Sequence, residues 1–188
     1  MMNTQKSLFV PLGPETAPEA SRPLLERIRK SFKFIPNLFG TFANSPVLLE
    51  GYLGLESVFD KGSLTGVERQ LVLLTASVEN DCKYCTAAHS TILKSFLHVP
   101  AEVVSAVRSD LPLPDPKSNA LVALTREIVA NRGHVEAQTI EKFLAAGYRK
   151  EQILEVVLGV ALKTISNYTN HISPAELDQA FRSEGDSR

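Results

Sequence analysis

Nearly every segment of this chain spaces its apolar residues three and four places apart and closes each run with helix punctuation, which leaves little room for a sheet. Ser45-Pro46 supplies an N-cap with proline at the first helical position, and Gly62 ends that run. Thr65 and Glu68 form a capping-box pattern ahead of a helix whose Val67, Leu71, Leu74 and Val78 share one face. Asn80-Asp81 offers a fresh N-cap, so the next helix is expected over 82–97, and a short one follows Val99-Pro100 over 101–109. Three prolines within 110–116 exclude helix there and make that stretch the only linker. Helices are then expected over 117–131 and 137–146, stopped by Gly133 and Gly147. Residues 150–170 are apolar on most of the circumference, which predicts a helix buried in the centre of the domain or in a subunit interface. A second capping box, Ser173 to Glu176, predicts a last helix reaching Phe181. No stretch alternates with a period of two over a useful length. An all-α fold is expected, organised as one domain over 1–188.

The 188 residues suffice for one sizeable core, and 44% of them are hydrophobic. Twenty basic and 21 acidic side chains nearly cancel, which argues against nucleic acid or an anionic membrane as a partner. Residues 1–12 lack the apolar core of a signal peptide, and the apolar stretch 153–165 contains Glu155 and Lys163 and is too short to span a bilayer. A cytoplasmic location is the expectation, and there two cysteines stay reduced unless they cycle.

Both cysteines fall in residues 79–89, which read Glu-Asn-Asp-Cys-Lys-Tyr-Cys-Thr-Ala-Ala-His. A cysteine reacts as its thiolate, and an ordinary thiol is only a few per cent ionised at neutral pH. Cys82 sits at the expected helix N-terminus, where the dipole favours an anion. His89 lies four residues after Cys85, within reach as a base. At about 100° per residue, Cys82, Cys85 and His89 share an arc of about 60°. The dipole favours Cys82 as thiolate and the histidine favours Cys85; a base in contact also removes the proton, so Cys85 is expected to attack and Cys82 to resolve. A carboxylate should orient His89, with Glu79 and Glu68 as candidates. Glu68 already has a role in its capping box, whereas no local rule explains Glu79, so Glu79 is preferred. Tyr84 reads as packing, His98 and His134 as surface residues, and His171 as a capping or hydrogen-bonding side chain. The pair could instead be half of a zinc site, completed by His98, His134 or His171, or two inert core thiols.

The pattern E-x-x-C-x-Y-C-x-x-A-H-S formed by residues 79–90 resembles the core motif of the alkylhydroperoxidase D and carboxymuconolactone decarboxylase superfamily, in its C-x-x-C branch. The segments Ile35-Pro36-Asn37-Leu38-Phe39, Ser45-Pro46 and Asn167-Tyr168-Thr169-Asn170-His171 extend the resemblance to the flanks. The resemblance implies an all-helical subunit, assembly as a trimer or hexamer, and reduction of hydroperoxides with electrons from an external dithiol. It places the attacking cysteine on Cys85, the resolving one on Cys82 and the relay histidine on His89. No metal, haem or flavin is implied. One position departs: the relay glutamate of better-known members, twelve residues before the first cysteine, is Gln70 here. Glutamine exchanges no protons, so either Glu79 supplies the carboxylate or the relay is weakened. The expected activity is a thiol-dependent peroxidase. A disulfide reductase or redox relay, and a non-catalytic metal-binding scaffold, are the alternatives.

Overall fold

The helical spacing is realised as nine α-helices among the described residues, which are 7–185 of a computed structural model. Six of the twelve N-terminal residues read above for a leader, 1–6, lie outside that range. In chain order the helices are α1 (Arg22–Phe32), α2 (Asn37–Phe42), α3 (Pro46–Phe59), α4 (Gly66–Glu79), α5 (Lys83–Thr91), α6 (Ala101–Arg108), α7 (Pro116–Ala130), α8 (Ala137–Ala145) and α9 (Lys150–Ile172). Helix α5 winds on as a π-helical turn, Ile92–Phe96, so the expected 82–97 segment is one continuous rod with Cys82 as its N-cap. No strand and no helix long and apolar enough to cross a membrane occurs among the described residues.

Two expected caps act where the sequence put them, whereas Asn80 ends α4 and Asp81 turns with positive φ, so Cys82 and not Asn80-Asp81 takes the N-cap of α5. Ser45 Oγ accepts a hydrogen bond from the Leu48 amide at 3.3 Å. In the Thr65 box, Thr65 Oγ1 accepts from the Glu68 amide and Glu68 Oε2 accepts from the Thr65 amide at 2.7 Å. The proline-rich stretch gives way to helix one residue earlier than expected, because Asp115 caps α7 and Pro116 fits its first position.

Helix α4 is the centre of the packing, lying against α7, α9, α5 and α6, and Leu71 to Ser77 are all buried. It packs tightly on the inner face of α9. A Cβ built on Gly159 would lie 2.8 Å from both Phe59 and Val72, so only glycine lets α3, α4 and α9 approach this closely. Gly159→Ala is expected to lower stability by about 1–3 kcal/mol in urea unfolding through overpacking, despite a gain of up to about 1 kcal/mol in helix propensity.

Helix α9 is buried along one face, and Leu154, Val157, Tyr168 and Ile172 lie exposed along the other, the face left for the subunit interface that the sequence reading allowed. A further expectation is corrected. No α-helix starts at Ser173, because its capping groups are committed elsewhere. Ser173 Oγ accepts from the Phe9 amide, and Asn170 Oδ1 takes the Ala175 amide. The chain runs extended to Asp178 and only then forms a short 3-10 helix, Gln179–Glu184. Asp178 holds that strap in place by accepting from the Asn37 amide and from the Tyr84 hydroxyl, so Tyr84 is an anchor as well as packing.

Candidate active site

Three helices converge on the thiols. Helix α5 carries Cys82 at its cap, Cys85 one turn on and His89 one turn beyond, all buried. Helix α4 contributes Gln70, and α9 contributes Lys163, Ser166, Asn167 and Asn170, a set spaced three and four apart on its inner face. The expected clustering of Cys82, Cys85 and His89 is therefore present, and the residues around them come from elements distant in sequence.

The cysteines are free thiols, 1% and 2% exposed. Asn170 Nδ2 donates to Cys82 Sγ at 3.6 Å. The hydrogen bond between the two sulfurs pushes them apart in acidity. It lowers Cys85 well below the ordinary thiol range, against its burial and with help from the Lys163 charge, Asn167 and Ser166. It raises Cys82, and burial adds to that rise. Asn167 is braced by Asn80, whose Nδ2 donates to its Oδ1 at 3.0 Å. The buried Asn167 Nδ2 has no other hydrogen-bond partner among the described residues, which leaves its hydrogens for the Cys85 thiolate. The arrangement favours Cys85 over Cys82 as the thiolate.

His89 has both ring nitrogens engaged. Nδ1 lies 2.8 Å from Gln70 Oε1, and Nε2 lies 2.8 Å from Lys163 Nζ. A lysine ammonium only donates, so Nε2 must accept; Nδ1 then carries the ring hydrogen and donates to the amide oxygen. Both neighbours require the same neutral tautomer. Burial first, and the Lys163 charge second, push the pKa of His89 well below its ordinary value. Position 70, where the family pattern has its relay glutamate, thus does face the histidine, but through an amide.

Glu79 does not join this set. Its carboxylate accepts from Arg126 Nε at 2.6 Å, and the same arginine reaches Asp110 and the Val107 carbonyl. The carboxylate that no local rule explained is explained by a long-range ion pair between α4 and α7. Glu79→Gln is expected to cost about 1 kcal/mol in urea unfolding and to change the alkylation rate of Cys85 by less than about twofold. A tenfold loss of thiol reactivity would instead return Glu79 to the relay. Glu68 is held by its capping box, the Tyr148 hydroxyl and Lys117. His98, His134 and His171 are exposed, and His171 stacks on Tyr168. Among the described residues no group of three or more His, Cys, Asp or Glu side chains is arranged to hold a metal ion.

The residue that sequence reasoning passed over is Lys163, 2% exposed in the middle of the apolar helix. Its signal was present: a lone lysine in a buried run, on the same face as Ser166, Asn167 and Asn170. A cavity of about 130 Å³ opens beside Cys85, His89 and Lys163, with Phe39, Tyr52 and Tyr84 among its aromatic walls and Phe181 of the C-terminal strap closing one side.

Residues 48–127, from α3 through α7, match the carboxymuconolactone decarboxylase family. The matched segment holds Gln70, Cys82, Cys85 and His89 and ends before Lys163. No curated protein matches the chain in sequence. The fold is similar to that of an alkylhydroperoxidase AhpD core. An uncharacterized peroxidase-related protein from Ralstonia eutropha JMP134 superposes with TM-score 0.83 at 21% identity, over 95% of this chain and 96% of that one. The debrominase Bmp8, as a cysteine-to-alanine variant with 2,3,4-tribromopyrrole, gives 0.81 at 19% identity over 98% of both chains. An uncharacterized peroxidase-related protein from Silicibacter sp. TM1040 gives 0.80 at 14% identity, over 97% of this chain and 99% of that one. At these identities the likeness is one of fold.

Proposed function

We propose that this chain is a thiol-dependent peroxidase acting on small organic hydroperoxides. The observation that carries the reading is Cys85: a buried sulfur, hydrogen-bonded by a second thiol and lying next to a cation, at the wall of a small aromatic-lined cavity. In the first step the Cys85 thiolate attacks the distal peroxide oxygen. The S–O bond forms, the O–O bond breaks, and an alkoxide leaves that must take up a proton. Cys82 then condenses with the sulfenic acid, forming the disulfide and releasing water. An external dithiol returns two electrons by exchange and leaves as its own disulfide.

The roles differ from the expected histidine–glutamate relay. With Nδ1 turned to Gln70 and Nε2 to Lys163, His89 has no hydrogen of its own to offer the cavity. Lys163 has, since only one of its three N–H groups is directed to His89. Lys163 therefore stabilises the thiolate and protonates the alkoxide, while His89 and Gln70 hold it in position. The burial of both thiols favours a small oxidant over a disulfide on another protein. The exposed apolar face of α9 fits self-association, and the trimer or hexamer implied by the family pattern belongs to the same proposal.

The test is a thiol count on reduced protein before and after one equivalent of cumene hydroperoxide. Loss of both thiols, reversed by dithiothreitol, is expected. Thiols that survive would remove the peroxidase reading. A second reading, reductive removal of halogen from a small aromatic ring, is favoured by the aromatic walls of the cavity and by the fold shared with a debrominase. Bromide release from a bromopyrrole by the reduced protein would select it.

A further inference from the structure

An open cleft of about 720 Å³ runs between α1 and α3, next to the smaller thiol cavity. Among the described residues only Phe32 and Glu56 line both spaces, so Glu56 is the one polar side chain among them that faces the Cys85 cavity on one side and the cleft on the other. From this placement we propose that Glu56 is the proton port of the thiol site, passing protons from water in the cleft to Lys163 and the reacting molecule in the cavity. The inference rests on the redox reading of the Cys82–Cys85 pair.

The chemistry requires such a port. The site starts with one thiolate and one thiol. Forming the disulfide with a hydroperoxide gives an alcohol and water, whose three new or retained hydrogens come from the peroxide, from Cys82 and from outside. One proton must therefore enter per oxidation. Lys163 can supply it once, but its other contact, His89, is neutral and bound to an amide oxygen. Neither of these neighbours reaches the cleft, whereas Glu56 does.

The surroundings suit the task. Arg27 faces Glu56 from α1, Glu50 shares its helix, Asp60 and Lys61 follow that helix along the cleft, and Lys163, Cys85 and His89 face it from α9 and α5. Helix α4 presents only the neutral Gln70 to this space. Burial, and then the negative charge of Asp60, push the Glu56 carboxyl up to about 7, while Lys163 and Arg27 oppose the rise. A carboxyl balanced near neutrality both gives and takes protons.

The test compares oxidation rates of reduced wild-type, Glu56→Gln and Glu56→Asp proteins with cumene hydroperoxide across pH. The wild-type advantage should exist only while Glu56 is protonated. Glu56→Gln is expected to be about tenfold slower than wild type at about pH 6 and to match it at about pH 8. Glu56→Asp should recover most of the rate at low pH, and circular dichroism should be unchanged in both variants. A variant-to-wild-type ratio that does not vary with pH overturns the port, as does failure of aspartate to rescue. If wild type is inert to the hydroperoxide, the peroxidase reading fails, and the same ratio is read with diamide, whose reduction also takes up two hydrogens. A pH-independent ratio with diamide overturns the port on its own. A pair inert to both oxidants overturns the port together with the redox reading.

Discussion

Cys85→Ser protein is expected to lose hydroperoxide-dependent turnover by more than about 10³-fold, because serine at neutral pH offers essentially no anion to attack the peroxide. Cys82→Ser should behave differently. The first oxidation still occurs there, though more slowly, since the thiol hydrogen bond that lowers Cys85 is replaced by a hydroxyl. The reaction then halts at the sulfenic acid, which dimedone traps and mass spectrometry reads on Cys85. Serine fills nearly the same space in both variants, so their folds should be equal by circular dichroism. The reverse pattern, with the sulfenic acid on Cys82 and turnover lost only there, would exchange the two roles.

The helical architecture and the thiol cluster could be read from the chain because both depend on local periodicity and capping. Thr65-Glu68, Ser45-Pro46 and the Cys82–Cys85–His89 arc each lie within a few residues, and helix geometry alone brings them together. The environment of His89 could not be read this way. Its partners sit nineteen residues before it and seventy-four after it, on α4 and α9. Glu79 was misplaced for the same reason: nothing near it in sequence points to Arg126, forty-seven residues on. The C-terminal capping box failed because Ser173 met a distant partner, Phe9, and Asn170 took the Ala175 amide locally, both competing with helix initiation. Local rules located the nucleophile, and long-range packing decided what surrounds it.

The second large effect concerns that packing. Lys163→Met is expected to slow hydroperoxide oxidation at neutral pH by about a hundredfold while leaving stability within about 2 kcal/mol of wild type. The two readouts separate because the lysine is costly to bury and useful once buried. Its ammonium sits at the neutral His89 ring, so a methionine of similar length removes a desolvated charge and loses one hydrogen bond to Nε2. These terms oppose each other in the folding free energy. In the chemistry they act together: the thiolate loses a favourable charge and the alkoxide loses its proton donor. The sign with pH follows from the first loss. Wild-type Cys85 should react with iodoacetamide at pH values below the ordinary thiol range, and in Lys163→Met the rise in rate should shift to higher pH, so that the variant approaches wild type only in alkaline solution. An alkylation profile that does not move would show that Lys163 has no influence on the thiolate, and the reading of α9 as part of the active site would then fail. A profile that moves while the melting temperature holds would show that a buried charge is kept in this core for reactivity and not for the fold.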